Sequence, residues 1–164
     1  MITLPPVIPP TPFLLSVAGL GVSLAGFSGL VAAFRRGATW QKVDAYRLRQ
    51  IPEMGLAVSL LALVTLPLAD TVRDPRAALQ IAAGAGLLFS IVHMLTLVLR
   101  VRRMEIHMPQ PRWITVVIVD LVVILTGALA LGFATGATYE WLLVAMIARP
   151  MLAFVLVLAD VAEA

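Results

Sequence analysis

Residues 13–34 read FLLSVAGLGVSLAGFSGLVAAF, 22 positions without a charged side chain. At ~1.5 Å of helical rise per residue, such a segment reaches across a hydrocarbon core of ~30 Å and reads as a transmembrane helix. One of its faces is unusually small. Ala18, Gly21, Ala25, Ser28, Gly29 and Ala32 recur at helical spacing and form a candidate packing face. Between helices in lipid, apolar contact alone gives little drive for association, so a small face is valuable because it lets a second backbone come close. Gly29→Leu is therefore expected to disturb the bundle or its oligomer more than Val31→Leu. The stretch that follows, RRGATWQKVDAYRLRQIPE (35–53), is basic, and its sign sets the orientation of everything around it.

Four further apolar segments follow the first: Ile51–Ala69, Ala78–Leu99, Trp113–Ala134 and Trp141–Leu158. The expected fold is all-α, a polytopic helix bundle of five spans, because lipid offers no partner to an unpaired backbone group. The fifth segment is the weak member. It has 18 residues and carries Arg149-Pro150 at its middle, so a re-entrant or peripheral last helix, leaving four spans, is the competing reading. Pro52 falls in the first turn of the second span and Pro67 near its end, where helices tolerate proline. Three regions result: an extended proline-rich start (1–12), one membrane domain (13–158) and a short acidic tail (159–164). The start lacks the basic residues of a secretory leader, so cleavage is not expected.

Composition agrees. The chain is 61% hydrophobic and 13% charged, with a mean hydropathy of +1.01, well outside the range of soluble domains. The absence of cysteine excludes disulfides, thiolate metal sites and cysteine nucleophiles. A net charge of +3 invites a nucleic-acid reading, but topology accounts for it better. Arg35, Arg36, Lys42, Arg47, Arg49, Arg100, Arg102, Arg103 and Arg112 fall in alternate loops on one side, against Arg73 and Arg76 on the other. The positive-inside rule makes the first set cytoplasmic, with the amino terminus outside and the carboxyl terminus inside. Trp40, Trp113, Trp141 and Tyr139 fall where an aromatic belt would stand.

Ionisable residues inside spans cost at least ~2.5 kcal/mol each and so mark either structure or function. Three occur: His93, Asp120 and Arg149. Counting from the span ends, His93 and Asp120 each lie ~10 Å below the cytoplasmic surface, and Arg149 lies near the midplane with a stem that can lean towards them. Where spans three, four and five are neighbours, these depths bring His93, Asp120 and Arg149 into one cluster. The two readings are a clasp that docks helices and a proton or ion relay. Asp44, Arg47, Arg49 and Glu53 in the first basic loop have the spacing of same-face pairs and read as a juxtamembrane helix attracted to anionic lipid. Glu105-Ile-His107 is too small a donor set for a metal, and no metal or cofactor site is expected. Gly19-Leu-Gly21 lacks the third glycine of a dinucleotide fingerprint, since Leu24 stands there.

The segment AGFSGLVAAFRR (25–36), with Arg47-Leu48-Arg49 beyond it, resembles a set of uncharacterised bacterial membrane proteins with a GFSGLVAAF-like first span and an RLR-type basic loop. The resemblance implies an integral protein of the bacterial inner membrane built as a helix bundle, and it implies no activity. The function expected is that of an interaction or auxiliary subunit in the lipid bilayer, self-associating or docked on a membrane protein partner, without nucleic acid. The alternative is a small oligomeric channel or proton-coupled transporter using His93, Asp120 and Arg149. An enzyme is not expected, since no nucleophile–base pair is recognisable.

Overall fold

The computed structural model describes residues 8–34, 42–104 and 110–162, and among these it contains five helices and no strand. They are α1 (Thr11–Phe34), α2 (Lys42–Thr71), α3 (Pro75–Met104), α4 (Gln110–Phe133) and α5 (Gly136–Ala162). Each contains a stretch long and apolar enough to cross a membrane, as the spacing of the apolar segments predicts. Hydroxyls inside these helices are returned to their own backbones. Ser16 donates to the Pro12 carbonyl (2.7 Å), Ser23 to Gly19 (2.8 Å) and Ser90 to Gly86 (2.8 Å), which hides a polar group that lipid cannot satisfy.

The two described turns, α2–α3 and α4–α5, are short and chemically specified. Asp74 accepts the Arg76 N–H (2.9 Å) with Pro75 opening α3, a capping residue followed by the one residue that needs no helix donor. Between α4 and α5, Ala134 takes a left-handed backbone (φ 46°). Thr135 and Thr138 then exchange side-chain and backbone hydrogen bonds that start α5.

Three boundaries differ from the sequence reading. The helix of the first span already begins at Thr11, inside the proline-rich start, and α5 runs to Ala162, into the acidic tail. Pro52 lies well inside α2 rather than in its first turn, because the charged residues from Lys42 onward continue the helix. Most importantly, α5 is a single helix of 27 residues that passes through Pro150. It packs against all four other helices, so the four-span reading does not hold. Proline removes one backbone bond, but close neighbours on every side keep the segment helical.

The bundle is built around the α2–α5 pair. Among the described residues α1 packs on one side of it and contacts neither α3 nor α4, which close the other side. The main core joins Leu14 and Val17 of α1, Val58 of α2, Leu79 of α3, Val123 of α4 and Met146 of α5. A second cluster, Leu48, Ile51 and Val157, lies at the end where α2 begins and α5 finishes, with Val31 and Phe154 against it.

The α1–α2 contact is backbone on backbone. A Cβ added at Gly55 would stand 2.5 Å from the Gly21 carbonyl oxygen, and one at Gly21 would overlap Gly55 in return. Ser59 locks the approach, its hydroxyl reaching the Ala18 carbonyl (2.8 Å) and that of its own Gly55 (2.9 Å). The small face of α1 is therefore divided. Ala18, Gly21 and Ser28 are buried and Ala25 half-buried, whereas Gly29 and Ala32 are exposed and a Cβ on Gly29 would meet nothing. Within the chain, the expectation that Gly29 tolerates bulk less than Val31 is thus reversed, since Val31 is the one packed on a neighbour.

Candidate functional site

Three buried residues, His93, Asp120 and Arg149, lie towards the end where α2 and α4 begin and α1, α3 and α5 finish. Asp120 lies six residues beyond the start of the apolar part of α4, ~9 Å in. Arg149 projects from the middle of α5, and its Nη1 stands 2.6 Å from Asp120 Oδ1. Both residues are buried, at 3% and 7% exposure. Opposite charges so close in low dielectric attract strongly, which offsets the cost of removing both from water. The contact is one of charge rather than of aligned hydrogen bonds: Oδ1 receives no well-directed N–H, and Arg149 Nη2 has no acceptor among the described residues.

His93 is brought to the same region but does not pair with Asp120. Its Nε2 lies 3.0 Å from Gln50 Nε2, and Gln50 also donates to the Tyr46 hydroxyl at 2.6 Å. With Gln50 as donor, Nε2 is the accepting nitrogen, which assigns the imidazole proton to Nδ1. One turn earlier on α3, Phe89 stacks on the ring at 5.8 Å between centroids. The Arg100 guanidinium sits 5.9 Å from the Tyr46 ring centroid, a cation over an aromatic face. Tyr46 lies beyond the membrane-spanning part of α2. Burial pushes its phenol above the usual value, against an opposing pull from Arg100, so it stays neutral at physiological pH.

The expected trio is therefore two linked joints. Asp120 and Arg149 tie α4 to α5, and Tyr46–Gln50–His93 ties α2 to α3. Gln50 and Tyr46 escaped the sequence reading because they lie among charged residues that read as a solvated juxtamembrane helix, although their step of four places them on one face of it. In that stretch Arg49 Nε donates to Glu53 Oε1 (2.8 Å), an exposed pair worth a few tenths of a kcal/mol. The side chains of Asp44 and Arg47 lie outside the described residues, as do Trp40, Glu105, His107 and the side chain of Trp113. Among the described residues no three acidic or imidazole groups converge as a metal site would need.

At the opposite end a second polar node forms. Tyr139 is 1% exposed, and its hydroxyl meets Thr65 Oγ1 at 2.8 Å and the Leu61 carbonyl at 3.2 Å. This corrects its placement in an aromatic belt. Its position near a loop reads as interfacial, but α5 starts three residues earlier, at Gly136, and turns the ring inward. Trp141, two residues on, is exposed at 65%. Tyr139→Phe should lower stability by about 0.6 kcal/mol, the usual worth of an interhelical hydrogen bond in a membrane protein, while Trp141→Phe changes little. Unfolding of the two variants in mixed micelles measures the difference; equal losses would remove the node.

No protein-family model, no curated protein and no solved structure matches this chain, so its classification rests on its own architecture, an integral five-helix membrane bundle with a buried charge pair.

Proposed function

We propose that this protein is an auxiliary subunit of the bacterial inner membrane: a helix bundle that presents packing faces to copies of itself or to a larger complex and catalyses nothing. The observation that carries the reading is the seal around the charges. Asp120 stands against Arg149, and both side chains are buried. Between this cluster and the Tyr139–Thr65 node, α2 contributes Met54 and Val58 and α5 contributes Leu142, Leu143 and Met146, all buried and apolar. Such an apolar plug suits a docking module better than a pathway for ions. The part of α1 left open includes Gly19, Gly26 and Gly29, where an added Cβ would meet nothing, so another helix has room to approach.

Reconstituted in liposomes, the wild type should conduct neither protons nor monovalent ions above the level of empty vesicles. A flux that disappears in Asp120→Asn while the fold survives would overturn the reading in favour of a channel or transporter. The orientation belongs to the same proposal. Arg49, Arg100 and Arg103 stand at the end assigned to the cytoplasm, and Arg73 and Arg76 at the other. Cysteines replacing Arg73 and Arg103 should label with an impermeant reagent from opposite faces of the cell membrane, and same-side labelling would refute the topology.

A further inference from the structure

The arginines at the basic end are not held alike. Arg49 is balanced by Glu53, one turn on, at 2.8 Å. Arg100 and Arg103 meet no carboxylate among the described residues. They stand three residues apart near the end of α3 and so share one side of it. Arg100 is half-buried and closes the membrane-spanning part of the helix, and Arg103 is exposed one turn beyond. The Arg100 guanidinium has a platform, the Tyr46 ring, whose centroid lies 5.9 Å away and which is only 8% exposed. A guanidinium over an aromatic face keeps the N–H groups at its edge free for an acceptor. Tyr46 is fixed in turn, because its hydroxyl accepts from Gln50 at 2.6 Å and Gln50 reaches His93 Nε2 at 3.0 Å. The phenolic proton itself has no acceptor among the described residues.

We infer that Arg100, Arg103 and the Tyr46 hydroxyl form a site for the phosphate of an anionic lipid headgroup. A phosphodiester carries one negative charge and several acceptor oxygens. Two guanidinium groups supply matching N–H donors and the opposite charge, and the phenol adds a donor from a second helix. Depth selects the source of the phosphate. Arg100 ends the apolar part of α3, where hydrocarbon gives way to headgroups, and Arg103 reaches ~4.5 Å further out. Charge selects the class of lipid. A zwitterionic headgroup brings its own cation, which two unbalanced arginines repel, so a lipid of net negative charge is preferred. Arg49 contributes less than its place in the sequence suggests, because Glu53 already balances it. The Tyr46–Gln50–His93 joint thereby gains a second use: it fixes the ring on which Arg100 stands. The site does not depend on what the bundle docks on.

Native mass spectrometry of the full chain in detergent, with phosphatidylglycerol or phosphatidylcholine added, tests this. The wild type should bind one phosphatidylglycerol more tightly than it binds phosphatidylcholine. Arg100→Gln and Arg103→Gln should each keep the helicity of the wild type and weaken that binding about five-fold, the equivalent of about 1 kcal/mol per basic residue at a membrane surface. Tyr46→Phe keeps the ring beneath Arg100 but loses the donor, and should weaken it by a similar factor. Arg73→Gln, which removes the same charge at the opposite end, should leave it unchanged. Equal affinities for the two lipids in the wild type would overturn the site, and so would a loss in Arg73→Gln as large as in Arg100→Gln. Unchanged binding in Tyr46→Phe would overturn the part given to the hydroxyl. Inorganic phosphate is the remaining arm: displacement of the bound phosphatidylglycerol by millimolar phosphate would assign the same chemistry to a soluble anion and overturn the lipid.

Discussion

Asp120→Asn and Arg149→Gln should each destabilise the bundle by about 3–5 kcal/mol, and the double variant should recover much of that loss. The asymmetry follows from burial. Each residue is more than nine-tenths removed from solvent, so a partner left behind is a charge in low dielectric without compensation. Removing both charges removes that cost, although it leaves polar amides to be accommodated. Because the pair joins α4 to α5, the coupling should appear as a large non-additive term in a double-mutant cycle. His93→Gln should cost less, since an amide can keep a hydrogen bond to Gln50. Unfolding of the four variants in mixed micelles measures all of these, and simple additivity of the two charge removals would mean that the contact is not a clasp.

The second large effect should come from Gly21→Val. At this position α1 and α2 meet through their backbones, and the side chain would be driven into the Gly55 carbonyl and the Ser59 hydroxyl. No rotamer relieves an overlap with backbone, so the helices must separate, losing the Ser59 hydrogen bond to Ala18 and the packing around it. A loss of about 3 kcal/mol is expected, at the upper end of overpacking costs. Gly29→Leu is the matched control. It introduces a larger side chain on the same helix but into open space, and the isolated chain should tolerate it. If Gly29→Leu instead proves as damaging as Gly21→Val in the monomer, the close approach of α1 and α2 is misplaced.

The membrane character of the chain, its five spans and the burial of His93, Asp120 and Arg149 were legible in the sequence. The reason is that lipid simplifies the code: a charge-free run of about 20 residues has few alternatives to a spanning helix, and a charge within one must find a partner. The contact between Asp120 and Arg149 was also within reach, because depth can be counted along a helix. What could not be counted was azimuth, the direction in which each helix turns its faces once it is docked. That direction sent His93 to Gln50 instead of Asp120, turned Tyr139 inward from an expected belt, and placed Gly21 rather than Gly29 at the closest approach. It also decided that α5, the span whose proline made it doubtful, is the helix every other one touches. A small residue or a hydroxyl reads the same on any face of its own helix; only the neighbouring helix determines whether it meets lipid, a backbone or a hydrogen-bond partner.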